Sequence, residues 1–186
     1  MKRRSLIAAT FAIPATRLLM PETAEAATDP QNTLDMDLKC GRVVIQLLPD
    51  IAPKAAERLR TLADQGFYDN TPFHRVIEGF MAQGGDPTGT GTGGSKMADL
   101  PAEFTNRRRF LRGTVGMART SDPDSANSQF FIMFGPSPNL DGQYTIVGQV
   151  ISGMDCVDQI KRGNGPNGMV SDPDRIVRVR TADQAK

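Results

Sequence analysis

From Leu34 to Val179 the chain never sustains one pattern for long: eight β-type runs of at most eight residues dominate it, separated by clusters of Gly, Pro, Asn and Asp. Leu34, Met36 and Leu38 alternate with Asp35, Asp37 and Lys39, and Val43, Ile45 and Leu47 alternate with Arg42, Val44 and Gln46 beyond Cys40-Gly41. Period-two alternation interrupted by a turn describes a hairpin with one buried face. The other runs are Phe73 to Glu78, Phe80 to Gln83, Thr114 to Ala118, Gln129 to Phe134, Tyr144 to Ile151 and Ile176 to Val179. Two segments break the β pattern. Pro53 stands where a first helical turn tolerates it, Ala55, Ala56, Leu59, Leu62 and Ala63 follow at helical spacing, and Gly66 stops them, which predicts a helix over 53–64. A shorter helix is expected over Met154 to Lys161, closed by Gly163. Many strands with two isolated helices point to a mostly β barrel or sandwich whose ends the helices cap.

At 186 residues the chain suffices for one well-buried core and is short for two. The ends are not equivalent. Lys2, Arg3 and Arg4 precede an apolar run, Leu6 to Ala15, too short to span a bilayer, and Ala24-Glu25-Ala26 supplies a small-residue cleavage pattern. Residues 1–26 are therefore expected to be a cleaved export signal and residues 27–186 a single domain. Pro14 and Arg17 interrupt the apolar run, so an unstructured leader or an uncleaved N-terminal anchor are the competing readings. Arg3-Arg4-Ser5-Leu6-Ile7 is similar to a twin-arginine signal, but paired arginines also occur in Sec signals, and both routes fit. The expected location is the periplasm. Without the leader, eighteen basic residues face nineteen acidic ones, leaving no bulk field to hold a nucleic acid backbone. One His and two Cys exclude clustered zinc motifs.

The segment most suggestive of chemistry is Phe73-His74-Arg75-Val76-Ile77-Glu78-Gly79-Phe80-Met81-Ala82-Gln83-Gly84-Gly85-Asp86, in which Arg75 is set among large apolar neighbours. An arginine there can snorkel from a strand face, or aim its permanently charged, planar donor into an apolar groove where low dielectric strengthens it. The wording of this segment, with Ser128-Gln129-Phe130-Phe131-Ile132 and Leu140-Asp141-Gly142 downstream, resembles the cyclophilins, over about Leu34 to Val179.

That resemblance implies a closed eight-stranded antiparallel β-barrel capped by two α-helices, and peptidyl-prolyl cis–trans isomerase activity without metal or cofactor. It makes Arg75 the catalytic arginine and matches Gln83 to the glutamine that contacts the substrate carbonyl and supports the arginine. Phe80, Met81, Phe131 and Leu140 would form the proline pocket, Tyr144 would stand at its rim, and Ala118 would lie on the strand that pairs with substrate backbone. The chemistry needs no nucleophile: rotating an X-Pro bond crosses a barrier of about 18–20 kcal/mol but breaks no covalent bond. A dry pocket for the ring and a donor at the prolyl nitrogen suffice in principle. Expected partners are proline-containing polypeptides, exported proteins among them; neither nucleic acid nor membrane insertion of the mature domain is expected, and a monomer is. The rival reading is a binding module of the same fold that holds proline segments without turnover. Three positions depart from the pattern. Asn139 replaces a Trp that contributes to cyclosporin A binding in many eukaryotic members, Tyr144 replaces a rim His, and Arg119 replaces the Asn that usually follows Ala118.

Other signals compete. Gly89-Thr90-Gly91-Thr92-Gly93-Gly94 contains G-x-G-x-x-G, but Pro101 follows and no helical period does, so a surface loop is expected rather than a phosphate cradle. His74 lacks a G-x-S-x-G elbow and should play a structural part, pointing away from Arg75. Arg107, Arg108, Arg109 and Arg112, with Phe110 among them, read as a solvated loop. Cys40 sits in the first hairpin turn and Cys156 among Met154, Val157 and Ile160; an oxidising compartment would invite a disulfide, but free thiols are the expectation.

Overall fold

The computed structural model describes residues 29–185; the export signal expected over 1–26 lies outside them. The strands are β1 (Thr33–Leu38), β2 (Gly41–Leu47), β3 (Arg75–Ile77), β4 (Met81–Gly84), β5 (Thr114–Met117), β6 (Phe130–Met133), β7 (Ile146–Ser152) and β8 (Arg178–Thr181), with helices α1 (Pro53–Asp64) and α2 (Met154–Asp158). All eight strands join one antiparallel sheet in the order β3-β4-β6-β5-β7-β2-β1-β8. The first hairpin pairs as its alternation predicts, Leu34 opposite Ile45 and Met36 opposite Val43, all four buried.

The barrel differs from a uniformly closed one. No ladder joins β3 to β8, and the curled sheet is sealed by irregular backbone leading into those strands. Asn70 N–H donates to Ile176 O at 2.8 Å, Ile176 N–H to Thr71 O at 2.9 Å, and Phe73 N–H to Asp174 O at 2.9 Å. Because Ile176 is taken up by this seam, β8 begins at Arg178, two residues later than its β-type run predicts.

Helix α1 has the expected bounds. Its first free amides, Lys54 and Ala55 N–H, donate to the Glu103 carboxylate at 3.0 and 2.9 Å, a cap supplied from a distant loop. Phe67 N–H returns to Leu62 O beyond left-handed Gly66 (φ 70°), closing the C-terminus. Its Ala55, Ala56, Leu59, Leu62 and Ala63 join Val157 of α2 and the sheet's inner side chains in the main core. Helix α2 ends at Asp158 rather than Lys161. Gln159 and Ile160 N–H bond three residues back, and the Arg162 guanidinium takes Asp158 O and Ile160 O, so the last turn tightens and stops.

The expectation of free thiols is overturned: Cys40 and Cys156 form a disulfide. The pairing follows from topology. Ser152 at the end of β7 lies opposite Val44, so the chain entering α2 passes beside the turn joining β1 and β2, where Cys40 sits. The bond closes a sequence separation of 116 residues, which restricts the unfolded chain strongly. Cys40→Ser should lower the unfolding free energy by about 2–5 kcal/mol relative to the oxidised protein. Urea denaturation with and without reductant checks this; wild type equally stable in both, and equal to the variant, would contradict it.

Candidate active site

Four neighbouring strands, β3, β4, β6 and β5, carry apolar residues on both faces. Val76, Ala82, Ile132 and Val115 face the main core, whereas Met81, Phe131 and Met133 belong to a second apolar cluster on the opposite face, with Phe110, Leu140 and Ile146. Register aligns this outer face into rows. Arg75 lies opposite Gln83, Gln83 opposite Phe131, and Phe131 opposite Gly116, giving one row across four strands. Ile77, Met81 and Met133 form the next row. Gly116 is required by this packing, since a Cβ there would collide with the rings of Phe131 and Phe110.

The rows wall a notch of about 180 Å³ lined by Arg75, Phe80, Met81, Gln83, Ala118, Arg119, Phe131, Leu140 and Tyr144. All eight residues assigned to the site from sequence therefore converge. Met81, Phe131 and Leu140 are buried; Phe80 and Tyr144 are partly exposed at the margin. Phe131 is held by a stacked Phe110 (centroids 5.6 Å apart) and an edge-on Tyr144 (5.8 Å). Ala118 lies just beyond β5 and its N–H is committed to Gln129 O at 2.9 Å. Tyr144 falls outside β7, in the preceding turn, and its ring packs edge-on against Phe131. Asn139 lies on the exposed side of the 3-10 turn Pro138–Leu140, bonded to Ser137, and does not line the notch.

Arg75 donates through Nε to Asn167 O at 2.9 Å and through Nη1 to Gln83 Oε1 at 3.2 Å. Both acceptors are neutral, and among the described residues no carboxylate forms an ion pair with it. The charge is oriented without being neutralised. Arg119 also lines the notch; its guanidinium lies 4.4 Å from the Tyr144 ring centroid and donates to Gln143 O and Thr120 O, which fixes the rim.

Sequence reasoning missed two supporting residues. Phe110, read as part of a solvated arginine loop, is fully buried behind Phe131; an isolated aromatic among arginines was the available signal. The four arginines themselves are exposed, as a solvated loop requires, and three of them form surface pairs with carboxylates: Arg107 with Asp50, Arg109 with Asp141 and Arg112 with Asp158. The second is Gln129 of the Ser-Gln-Phe-Phe motif, whose side-chain oxygen accepts from Gln83 Nε2 at 2.9 Å.

This geometry has close counterparts. Residues 33–181 match the family model described as cyclophilin type peptidyl-prolyl cis-trans isomerase/CLD. The chain belongs to the cyclophilin family, whose activity is peptidyl-prolyl cis–trans isomerisation. It is 50% identical to a probable peptidyl-prolyl cis-trans isomerase of Brucella suis, covering 95% of this chain and 94% of that one. A peptidyl-prolyl cis-trans isomerase of Dictyostelium discoideum is 37% identical over 80% of this chain and 97% of its own. Among solved structures, a cyclophilin from Hirschia baltica superposes with a TM-score of 0.75 at 26% identity, covering 86% and 77% of the two chains. A cyclophilin-type isomerase of Cryptosporidium parvum, crystallised in the presence of the dipeptide Ala-Pro, gives 0.73 at 30% identity, covering 80% and 98%.

His74 lies just before β3 and is buried, and neither ring nitrogen has a hydrogen-bond partner among the described residues. Burial pushes its pKa below the usual 6.5, and the nearby Asp86 charge reverses this only in part. The folded state thus binds the proton less readily than the unfolded chain. Stability should be fully present above pH ~6.5 and fall as pH drops through that value toward the depressed folded pKa. Because His74 is the only histidine, His74→Gln should flatten urea-measured stability between about pH 7.5 and 5.5. A decline equally steep in the variant would assign the pH dependence elsewhere.

Proposed function

We propose that this chain isomerises X-Pro bonds by seating the proline ring on Phe80, Met81, Phe131 and Leu140 while Arg75 donates to the prolyl nitrogen of the twisted amide. Twisting breaks amide resonance and returns a lone pair to that nitrogen, so a donor there stabilises the transition state more than either planar isomer. The observation carrying this reading is the uncompensated Arg75 guanidinium at an apolar notch, held only by neutral acceptors. A carboxylate partner would drain the charge the reaction uses. Gln83 takes the part of arginine support and contact to the substrate carbonyl, Tyr144 closes the rim, and Ala118, its N–H already committed, offers its carbonyl to substrate backbone. The Ala-Pro dipeptide present with the Cryptosporidium relative supports proline-containing peptides as the substrate class.

The clients are exported proteins, met in the periplasm. The basic N-terminal residues, the Ala24-Glu25-Ala26 pattern and a disulfide, which persists in oxidising compartments, support this location. N-terminal sequencing of fractionated protein should find a mature end near Ala27 outside the cytoplasm; an intact Met1 end confined to the cytosol would remove the assignment.

Arg75→Ala should lower kcat/KM by roughly 100- to 1,000-fold, the scale of losing one preorganised donor, with peptide affinity falling less and stability changing little. Arg75→Lys keeps the charge but loses the planar fork and should stay well below wild type. A folded Arg75→Ala protein that isomerises X-Pro peptides at the wild-type rate would overturn the mechanism and favour the binding module.

A further inference from the structure

The glycine-rich segment after β4 folds around a charge of its own. Asp86 is fully buried. Its Oδ1 accepts from Thr88 N–H and Oγ–H, both at 2.8 Å, and its Oδ2 from the N–H groups of Gly91 at 2.7 Å and Gly93 at 3.1 Å. A buried carboxylate satisfied by four donors over-determines the backbone around it. With the Gly91 and Gly93 amides committed to Asp86, the carbonyls of the same two residues both accept from Gln129 Nε2, at 3.0 and 2.8 Å.

This double contact sets the polarity of an amide chain. A side-chain amide has one donor end and one acceptor end of nearly equal shape, and its neighbours decide which way it points. Gln129 must turn its NH₂ to the two loop carbonyls, so its Oε1 faces β4 and accepts Gln83 Nε2 at 2.9 Å. Gln83, with one N–H of its NH₂ given to Gln129 and the other left for a substrate carbonyl, presents Oε1 to Arg75 Nη1 at 3.2 Å. Were Gln129 reversed, its oxygen would meet two carbonyls, Gln83 would reverse in turn, and an NH₂ would confront the guanidinium.

We propose that Asp86 is a positioning residue for Arg75: by holding the loop carbonyls against Gln129, it orients the Gln129–Gln83 amide pair so that the arginine meets an acceptor. The inference rests on the isomerase reading above. Asp86 and Gln129 act through other groups, and the glycine-rich loop is the template that aligns them.

A double-mutant cycle on kcat/KM for an X-Pro peptide tests this, with the ¹⁵N resonance of Arg75 Nε–H as a readout independent of turnover. Asp86→Asn, nearly isosteric, should lower kcat/KM roughly tenfold, the scale of one misdirected hydrogen bond to a charged group, mainly through kcat. Gln129→Leu should lose a similar factor. The double variant should be no worse than Gln129→Leu alone, and Nε–H should broaden or shift in all three. Losses that multiply in the double variant, or a folded Asp86→Asn protein with wild-type kcat/KM and an unmoved Nε–H resonance, would overturn the relay. A purely structural role would lower the melting temperature without coupling the two sites. If Asp86→Asn does not fold, Thr88→Val removes one donor to the carboxylate, and its loss should likewise vanish in the Gln129→Leu background; multiplication there overturns the proposal. Wild type is assayed first. Absence of turnover there would overturn the isomerase reading, and the relay with it, whereas multiplying losses in an active enzyme overturn the relay alone.

Discussion

Strands β3, β4, β6 and β5 must satisfy two apolar surfaces at once, and much of the site's geometry follows from that demand. Side chains alternate across a strand, so the register that buries Val76, Ala82, Ile132 and Val115 within the barrel sends Arg75, Met81, Gln83 and Phe131 to the other face. A slip of one residue would exchange the sets and put a guanidinium into the core. Register is thus defended by the main core, and the active row inherits its alignment. The outer face needs its own cover, which Phe110, Leu140 and Tyr144 supply from loops around Phe131.

The site is polar where it is directed and apolar where it receives. Phe131, Met81 and Leu140 provide buried apolar walls, which raise the worth of any charge at the edge. The arginine's remaining donors keep their strength because Asn167 O and Gln83 Oε1 orient it without opposing its charge. The mechanism proposed above asks no more than this of the side chains, so one histidine and two disulfide-bonded cysteines are no obstacle to it.

Local pattern revealed what local forces decide. Helix 53–64 was legible residue for residue because spacing, Pro53 and Gly66 agree, although its cap from Glu103 was not, since that carboxylate arrives from a loop 48 residues away from Ala55. The hairpin was legible from alternation. Strand ends were displaced wherever backbone groups were claimed by distant segments, as at Ile176, or by a nearby guanidinium, as at the end of α2. The eight site residues were found through motif wording, which carries family history; no periodicity would have selected Tyr144 or Leu140. The disulfide and the burial of Phe110 depend on which elements become neighbours only after the sheet curls, and neither spacing nor composition encodes that directly.

The central claim is that this apolar notch and its uncompensated arginine accelerate rotation rather than only hold proline. Exchange NMR on a short X-Pro peptide, with the mature domain at substoichiometric concentration, separates the two directly because it reports cis–trans interconversion and binding in the same spectra. The account predicts cross-peaks between cis and trans resonances that grow with protein concentration while the equilibrium ratio is unchanged. Peptide shifts that titrate with protein while interconversion stays at its uncatalysed rate would contradict it.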